Sequence, residues 1–415
     1  MTWTIARKEI LANLSSYKFF VVLLLTVLLT ATSFFIMHRD FTQRTADFQI
    51  IRPKPGEPIA LLPPNPMAVF AKGLEDAMTR SFEIDAIGIT VRAGQSSGNI
   101  IYSFFPAPDF LYVVRVVLSL VALLFGFDQV SRERERGTLK LILGSSVSRA
   151  RVLFGKWLGN FLSLAVPFLL VTLLGTAFLL LDPNVHFSAG RLGRLALILA
   201  LSLIYMSFFL TLGILISTLT RRSSSSIVVL LFIWTLLVFV IPNLGTLLAR
   251  QFVSVPSVRA LSEKRRQTWT REVLLGLKGG DWAGHMRAIS DDNDRIEEDY
   301  RGKFERLVRL SRDINRVSPA AGFLDAASEI AGTGIGEESR LKREVVRYKN
   351  SIIDKVIANR AISNKSMEYP AFHYVPRSLA EIFAQGALFD ATWLVFFNII
   401  SFALAFWAFI RYDVR

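Results

Sequence analysis

The sequence contains no cysteine, and only 4 of its 415 residues are histidine. Without cysteine the chain cannot form disulfide bonds, thiolate metal sites, CxxC redox motifs or a cysteine nucleophile. The histidines are His38, His186, His285 and His373. They lack the spacing of metal ligands. The chain also lacks the motifs HExxH, GxSxG and GxxxxGKS/T. We therefore predict that this chain is not an enzyme, holds no metal or cofactor of its own, and does not hydrolyse ATP through a P-loop.

Charged residues make up only 20% of the sequence, whereas 52% of the residues are hydrophobic. Soluble domains carry about 25% charged and about 45–50% apolar residues, so the apolar excess indicates membrane-spanning segments. Apolar runs of about 18 residues or more occur at residues 19–37, 110–127, 158–181, 195–219, 227–248 and 388–410. The first run is too long for a signal-peptide core and lacks a small-residue cleavage site after it, so we expect a retained anchor.

The net charge of +14 comes from 48 Lys and Arg against 34 Asp and Glu. Basic residues cluster before the first apolar run, between the second and third, between the fourth and fifth, and after the last. Cytoplasmic loops carry such an excess of Lys and Arg, so these four segments and both termini are predicted to face the cytoplasm. We expect a multi-pass protein of the bacterial cytoplasmic (inner) membrane whose basic loops contact lipid and bind no nucleic acid.

The segments between the predicted spans differ in composition. Six prolines fall within residues 53–66, which no long helix tolerates, so a small mixed α/β lobe is predicted outside the membrane. Residues 258–316 are charged and nearly free of proline, which favours helices in the second outer segment. Apolar residues recur at helical spacing from Trp3 to Tyr17, which predicts an amphipathic helix in the inner membrane interface; the alternative is a plain cytosolic tail.

These patterns predict a mainly α membrane protein with six transmembrane helices. Besides the six spans, the predicted segments are an interfacial helix at 1–18, an extracytoplasmic lobe at 38–109, a cytoplasmic loop at 128–157, an outer turn at 182–194, a cytoplasmic loop at 220–226, a helical extracytoplasmic domain at 249–387 and a cytoplasmic tail at 411–415.

The connection between the second and third spans has the most unusual pattern. Arg and Glu alternate from Arg132 to Arg136, and Gly137 and Thr138 then offer a helix break and an N-cap. Leu139, Leu141, Ile142 and Leu143 follow as a short apolar helix beside the membrane. Such a helix, with exposed hydrophobic residues beside a charged segment, fits docking onto a soluble cytoplasmic partner. The alternative is that these leucines face water or lie on the lipid surface.

The run from Asp128 to Arg149 resembles the coupling helix of permease subunits of ABC transporters of the type-2 exporter (ABC-2) class. Four further segments resemble the subset of that class with an enlarged extracytoplasmic domain: 73–75, 156–159, 318–323 and 331–334. The permease of nitrous-oxide-reductase maturation is a distantly similar example. With this resemblance, the predicted ATPase-coupling residues are Glu133, Glu135, Gly137, Thr138, Leu139, Leu141, Leu143 and Arg149.

The resemblance implies a non-catalytic subunit that works as a dimer, with itself or with a paralogue, and with two copies of a P-loop ATPase that binds ATP and Mg. Its function would be to couple ATP hydrolysis to export of an unidentified cargo. A second hypothesis keeps the ATPase but makes the outer domain a mechanical transmitter that acts on an extracytoplasmic protein. A third, a ligand sensor built on residues 250–386, is disfavoured because the cytoplasmic segments are only short basic loops.

One charge falls inside a predicted span. Arg115 lies about five residues into the second span, where an unpaired cation is costly. One hypothesis is that it reaches outward or pairs with Asp109. The alternative is that Arg115 lines a cavity and contacts an anionic group of the cargo.

Overall fold

A computed structural model describes residues 2–51, 56–78, 81–85, 88–92, 109–143, 147–183, 185, 187–279, 282–358 and 369–411. Its helices of membrane-spanning length and hydropathy, here named TM1 to TM6, are Tyr17–Ile51, Phe110–Glu135, Arg149–Leu180, Ala189–Leu219, Ser223–Phe252 and Leu379–Ile410. The predicted fold class, a mainly α membrane protein with six spans, is confirmed. His186, residues 93–108 of the predicted lobe and residues 412–415 of the predicted tail lie outside the described residues.

Several of these helices extend beyond the apolar runs that predict them. TM1 continues past Met37 to Ile51, TM3 begins at Arg149, and TM6 begins at Leu379. A helix of 32 residues, the length of TM3, is about 48 Å long at 1.5 Å per residue, which exceeds the hydrocarbon thickness of about 30 Å. TM6 is interrupted at Gly386, whose φ of +116° is not helical. The additional turns contain polar residues, which lengthen a helix without lengthening its apolar run.

TM4 is the most buried of the six helices and packs against TM2 and TM6. Two glycines allow its close approach to TM2. A Cβ atom on Gly126 would lie 2.6 Å from the carbonyl oxygen of Leu210, and one on Gly213 would lie 2.9 Å from the Cα of Gly126. Small residues of this kind let transmembrane backbones touch, so the TM2–TM4 pair forms the centre of the bundle.

The N-terminal helix α1 (Thr2–Leu14) lies against the first turns of TM3. A Cβ atom on Gly159 would meet the carbonyl oxygen of Ala6 and the Cβ of Glu9, both at 2.7 Å. Ala6 and Glu9 are buried in this contact, while Trp3 on another face is exposed. The helix is therefore fixed to the bundle along one side, and its location in the membrane interface stays a prediction.

The other end of the bundle carries the two long connecting segments. The first forms an antiparallel sheet of β1 (Ile59–Ala60), β2 (Ser81–Asp85) and β3 (Gly88–Arg92), in that order, with α2 (Glu75–Met78). The register pairs Ile59 with Glu83 and Phe82 with Val91. The second forms four helices: α4 (Val258–Gly279), α5 (Trp282–Asn315), α6 (Pro319–Ala331) and α7 (Ile335–Ala358). Apolar residues of the sheet and of α7 share one small core, so the two segments form a single unit. We call this unit, at the end of the bundle away from α1, the outer unit.

Helix α6 is inserted among the transmembrane helices. Ser318 caps it by accepting hydrogen bonds from the amides of Ala320 and Ala321, and its apolar residues join the main core of the bundle. Phe323 stacks on Tyr205 of TM4, with 4.6 Å between the ring centroids. The predicted extracytoplasmic domain 249–387 is therefore not wholly separate from the spans.

A proline in TM5 explains how α6 is held. Pro242 follows a π-helical stretch, Leu236–Val240, and has no amide hydrogen to donate to the carbonyl of Leu237 five residues earlier. The hydroxyl of Ser318 donates to that carbonyl instead. Freed carbonyls within a membrane need such a partner, so the N-terminus of α6 satisfies the carbonyl that Pro242 leaves free in TM5.

Candidate functional site

The connection between TM2 and TM3 lies at the end of the bundle that holds α1 and the last turn of TM6, which we call the loop end. Its short helix α3 (Thr138–Leu143) begins after Gly137, whose φ of +72° favours glycine. Leu139 is 1% exposed, whereas Leu141 is 77% exposed. Leu143 is helical, but its side chain lies outside the described part of the chain. Leu139 thus anchors α3 in the core, and Leu141 is presented on the surface.

A buried ion triad lies at the loop end and includes Glu133, five residues before the start of α3. Lys156 of TM3 is 3% exposed, and its Nζ lies 2.6 Å from Glu133 Oε1 and 3.2 Å from Glu9 Oε1. Glu133, predicted as an ATPase-coupling residue, is therefore directed toward its own chain. The triad ties α1, TM3 and the end of TM2 together at one point.

A chain of amide side chains continues from the triad into the bundle. Asn160 lies one turn after Lys156 and donates to its carbonyl oxygen at 2.8 Å. The Oδ1 of Asn160 accepts hydrogen bonds from Asn13 at 2.9 Å and from Gln129 at 3.2 Å. Buried polar groups that all have partners are fixed in one arrangement, so this chain aligns α1, TM2 and TM3.

The two residues that follow Glu133 bind the ends of TM4 and TM5. Arg134 donates to the carbonyl oxygens of Thr220 at 2.8 Å and Thr218 at 3.0 Å, at the C-terminus of TM4. Glu135 accepts from the amide of Ser223 at 2.8 Å and from its hydroxyl at 3.1 Å, at the N-terminus of TM5. A cation at a helix C-terminus and an anion at an N-terminus both match the helix dipole. Glu135 is thus an N-terminal cap of TM5.

Contacts with TM1 and TM6 complete the set. Arg149 donates to the carbonyl oxygens of Phe409 and Ile410 at the C-terminus of TM6. Lys18, at the start of TM1, lies 3.6 Å from Asp128. The residues on either side of α3, from Asp128 to Glu135 and at Arg149, therefore contact the loop ends of TM1, TM4, TM5 and TM6.

Arg115 lies in a π-helical segment of TM2, Val113–Leu118. Its carbonyl oxygen accepts a hydrogen bond from the hydroxyl of Tyr205 at 2.9 Å. Asp109 caps the N-terminus of TM2. Burial raises the pKa of Asp109, while hydrogen bonds from the amides of Tyr112 and Lys72 and the charge of Arg115 oppose that rise. The positive charge of Arg115 thus lowers the pKa of Asp109. A contact between Arg115 and a cargo stays a prediction.

At the opposite end, two of the segments singled out in the sequence meet. Thr333 accepts a hydrogen bond from the amide of Leu74 at 2.8 Å and donates its hydroxyl to the carbonyl of Ala71 at 2.8 Å. A Cβ atom on Gly73 would lie 2.5 Å from the carbonyl oxygen of Thr333, and the φ of Gly73 is +48°. Only glycine suits this position, so the 73–75 and 331–334 segments form the joint between the lobe and α6.

The carboxyl group of Glu75 is buried at this joint. Burial raises its pKa to about 7, although the amide of Asn65, which donates to it at 2.7 Å, and the charge of Arg44 lower the pKa. Between its usual pKa of 4.5 and a pKa of about 7, the folded protein holds a proton that the unfolded chain has released. Stability therefore falls as the pH rises through this range.

We expect this fall to be roughly 3 kcal/mol at most, from about 1.4 kcal/mol per pKa unit. Glu75→Gln keeps an acceptor for the amide of Asn65 and should remove the contribution of Glu75 to the pH dependence, with a higher melting temperature than the wild type at pH 8. Asp76→Asn removes an exposed neighbouring charge that adds to the rise in the pKa of Glu75, so it should reduce the dependence only slightly. Thermal unfolding at pH 5 and pH 8 measures both variants. Equal slopes in wild type and Glu75→Gln would contradict the assignment.

A buried arginine joins the outer unit to the start of TM6. Arg377 is 2% exposed, and its guanidinium binds Glu329 of α6 and, at 2.7 Å, Glu337 of α7. Tyr374 donates to the same Glu337 at 2.6 Å. Burial lowers the pKa of the Arg377 guanidinium, but its hydrogen bonds to Glu337 and Glu329 raise that pKa by more. The pKa of Arg377 is therefore above its ordinary value.

A second link runs from α5 to TM6. Arg316 donates to the buried carboxylate of Asp390 at 2.9 Å, and its carbonyl oxygen accepts from the indole of Trp393 at 2.8 Å. Its guanidinium also lies over the ring of Phe389, 4.6 Å from the centroid. The outer unit is thus bound to TM6 by two arginines.

Within the part of the chain that the structure describes, no group of three or more His, Asp or Glu side chains could hold a metal ion. The arrangement at the loop end consists of ion pairs and helix caps, which hold helices in register. These contacts therefore join the loop ends of the spans into one connected network of ion pairs and hydrogen bonds.

Comparison with known proteins gives a family match over nearly the whole chain. The model of a family described as ABC-2 family transporter protein matches residues 3–414. The chain is 30% identical over 165 residues to a protein of Pseudomonas aeruginosa named as a probable ABC transporter permease protein, NosY, which covers 38% of this chain and 58% of that protein. A protein of Stutzerimonas stutzeri with the same name is 31% identical over 96 residues, 23% of this chain and 35% of that protein. The chain thus covers less than two thirds of the length of each relative.

Proposed function

Since the chain belongs to the ABC-2 family of transporter proteins, as a multi-pass membrane permease subunit, we propose that it couples ATP hydrolysis by a separate ATPase to the export of a cargo. The observation that supports the proposal is the set of contacts that residues on either side of α3 make with the loop ends of TM1, TM4, TM5 and TM6. The chain has no P-loop, so ATP and Mg bind to the partner. Two ATPase copies serve a dimer of this permease, formed with itself or with a paralogue.

The proposal orients the loop end toward the cytoplasm. The short basic segments support this orientation, because Lys and Arg concentrate on the cytoplasmic side of membrane proteins. Exposed basic residues such as Arg136 and Arg222 lie there beside α3 and TM5. The outer unit of sheet and helices then lies outside the cytoplasm.

In this function, Leu141 is the residue of α3 that enters the ATPase surface. When ATP draws the two ATPase subunits together, each α3 moves with its subunit. The triad of Lys156, Glu9 and Glu133 passes this displacement to α1 and TM3, and Arg134 and Glu135 pass it to TM4 and TM5. The spans then move as rigid bodies between two states. The relative populations of these states depend on whether nucleotide is bound to the ATPase.

Replacing Leu141 with Asp tests the docking. A charge in an apolar docking cleft is expensive to bury without a partner, so we expect the amount of ATPase that co-purifies with the permease to fall at least tenfold. Because Leu141 is exposed, the melting temperature of the permease alone should hardly change. Leu274→Asp, at a leucine of α4 that is also exposed, is the matched control and should retain the ATPase. Normal co-purification with Leu141→Asp would exclude Leu141 from the docking surface.

A mechanical transmitter that acts on an extracytoplasmic protein is the second candidate function. The observation that favours it is the attachment of the outer unit to the spans, through α6 between TM4 and TM6 and through Arg316 and Arg377. A domain held in this way follows every movement of TM6. In this function the ATPase cycle remains the same, but no cargo crosses the membrane.

A further inference from the structure

A groove with a volume of about 730 Å³ opens on the side of the bundle between TM3, TM4 and TM6. Its walls are mainly aromatic and aliphatic: Phe154, Trp157 and Phe161 line it from TM3, and Phe402 and Phe406 from TM6. Trp157 stacks on Phe154 and Phe161 with centroid distances of 5.5 and 5.1 Å. The TM3 wall is therefore a continuous aromatic surface.

The polar side chains in the groove already have partners. The indole of Trp157 donates to the hydroxyl of Thr211 at 3.0 Å. Ser207 donates to Oδ1 of Asn398 at 2.8 Å, and the amide nitrogen of Asn398 donates to the carbonyl of Ile204 at 2.9 Å. Since these groups are satisfied within the protein, a polar occupant gains little from them, and the groove favours a purely apolar one.

The length of the groove matches one leaflet of a bilayer. Its TM6 wall runs from Val395 to Phe406, and its TM3 wall from Ala150 to Phe161. Each wall has eleven residue steps, or about 16 Å at 1.5 Å per residue, close to half the hydrocarbon thickness of about 30 Å. Both walls end at the loop end of the bundle, so the groove spans the leaflet on that side.

Arginines lie where the groove reaches that end. Arg149 and Arg151 flank the lining residue Ala150, and exposed Arg151 is three residues from Phe154, on the same helix face. Arg411 follows the last turn of TM6, with its guanidinium 3.9 Å from the ring centroid of Trp407. Arginine binds phosphate oxygens through paired hydrogen bonds.

We propose that the groove binds an acyl chain of an anionic phospholipid from the leaflet at the loop end, with its headgroup on Arg151 and Arg411. The proposal does not depend on the exported cargo or on the ATPase. The bound lipid covers the contact of Phe402 on TM6 with Phe154 and Trp157 on TM3, whose ring centroids both lie 6.3 Å from that of Phe402. The charge at the groove mouth favours a lipid over a helix from a second copy of the chain, since the arginines of two copies would repel each other.

The test uses the full-length protein, reconstituted in vesicles of equal parts phosphatidylglycerol and phosphatidylcholine, extracted in mild detergent and examined by native mass spectrometry. The wild type should retain phosphatidylglycerol in at least fivefold preference to phosphatidylcholine. Ala403→Phe fills the groove and should reduce retained lipid at least fivefold. Leu404→Phe, at the adjacent exposed residue of TM6 that does not line the groove, is the control and should retain it.

A variant with both Arg151→Gln and Arg411→Gln should keep lipid in the groove but lose the preference for phosphatidylglycerol. If Ala403→Phe retains as much lipid as Leu404→Phe, the groove is not the binding site. If Ala403→Phe instead converts a dimer to a monomer without changing retained lipid, the occupant is a second copy of the chain. Either result overturns the proposal.

Discussion

Replacing Lys156 with methionine should destabilise the protein by about 3–5 kcal/mol, the cost of removing one partner from a buried ion pair. The ammonium group is 3% exposed and lies between Glu9 and Glu133. Without it, two carboxylates remain close together in a site from which water is largely excluded. We expect the melting temperature of the purified protein to fall sharply, and α1 to become accessible to proteolysis because its ion pair to TM3 is lost.

The matched control is Lys18→Met, which removes a cation that is 65% exposed and lies 3.6 Å from Asp128. The Asp128 side chain is 8% exposed but still pairs with Arg132 at 3.4 Å, so loss of the exposed Lys18 ammonium should cost about 1 kcal/mol or less and leave this variant near the wild type. Adding Glu9→Gln and Glu133→Gln to Lys156→Met removes the unpaired charges and should restore most of the lost stability. If Lys156→Met is no less stable than Lys18→Met, the triad does not hold the loop end together.

The spans and the short helix α3 could be predicted because their signals are local. An apolar run as long as the bilayer is thick has few alternatives to a membrane helix. Gly137 marks the start of α3 through its backbone geometry, which depends on neighbouring residues only. Thr138, predicted as the N-cap, is instead the first residue of the helix and donates its hydroxyl to the carbonyl of Glu133. The same reasoning could not assign the direction of each leucine, because burial of Leu139 and exposure of Leu141 depend on which helices pack beside α3.

The inward direction of Glu133 could not be predicted because its partner is distant in the sequence. Lys156 is 23 residues away from Glu133, and Glu9 is 147 residues away from Lys156. The sequence did contain a signal, namely a lysine followed by Asn160 inside the long helix that becomes TM3. Polar residues in such a helix face the interior of the bundle and find partners there, but the sequence does not identify those partners.

The insertion of α6 was missed for a similar reason. The segment Pro319–Ala331 has 13 residues, too few to span a bilayer, so its apolar character alone indicates only a buried helix. Its location depends on the stacking of Phe323 with Tyr205 and on Ser318, which supplies the donor that Pro242 lacks. Each of these contacts joins residues far apart in the sequence.

Replacing Arg377 with methionine should have the second large effect, again about 3–5 kcal/mol, because buried Glu337 would lose its cation, while Glu329 would keep Arg312 at 3.1 Å. Arg377→Lys should rescue little, since one ammonium cannot reproduce the fork that binds both carboxylates. We expect the loss to be local. Hydrogen exchange should increase in α6, α7 and the first turn of TM6, while the loop end keeps its protection. Uniform exchange across the protein would contradict a local role.

Arg347→Met is the control, since Arg347 is 72% exposed and pairs only with Glu344 of its own helix among the described residues.

The same pair of variants, Arg377→Met and Arg347→Met, separates the two candidate functions. If the outer unit is a mechanical transmitter, Arg377→Met should retain ATP hydrolysis and lose the biological output, because movement of TM6 no longer reaches the domain. If the protein is an exporter whose pathway lies between the spans, transport should decline only in proportion to the folded fraction. Output at the level of Arg347→Met would therefore exclude the transmitter and leave the exporter.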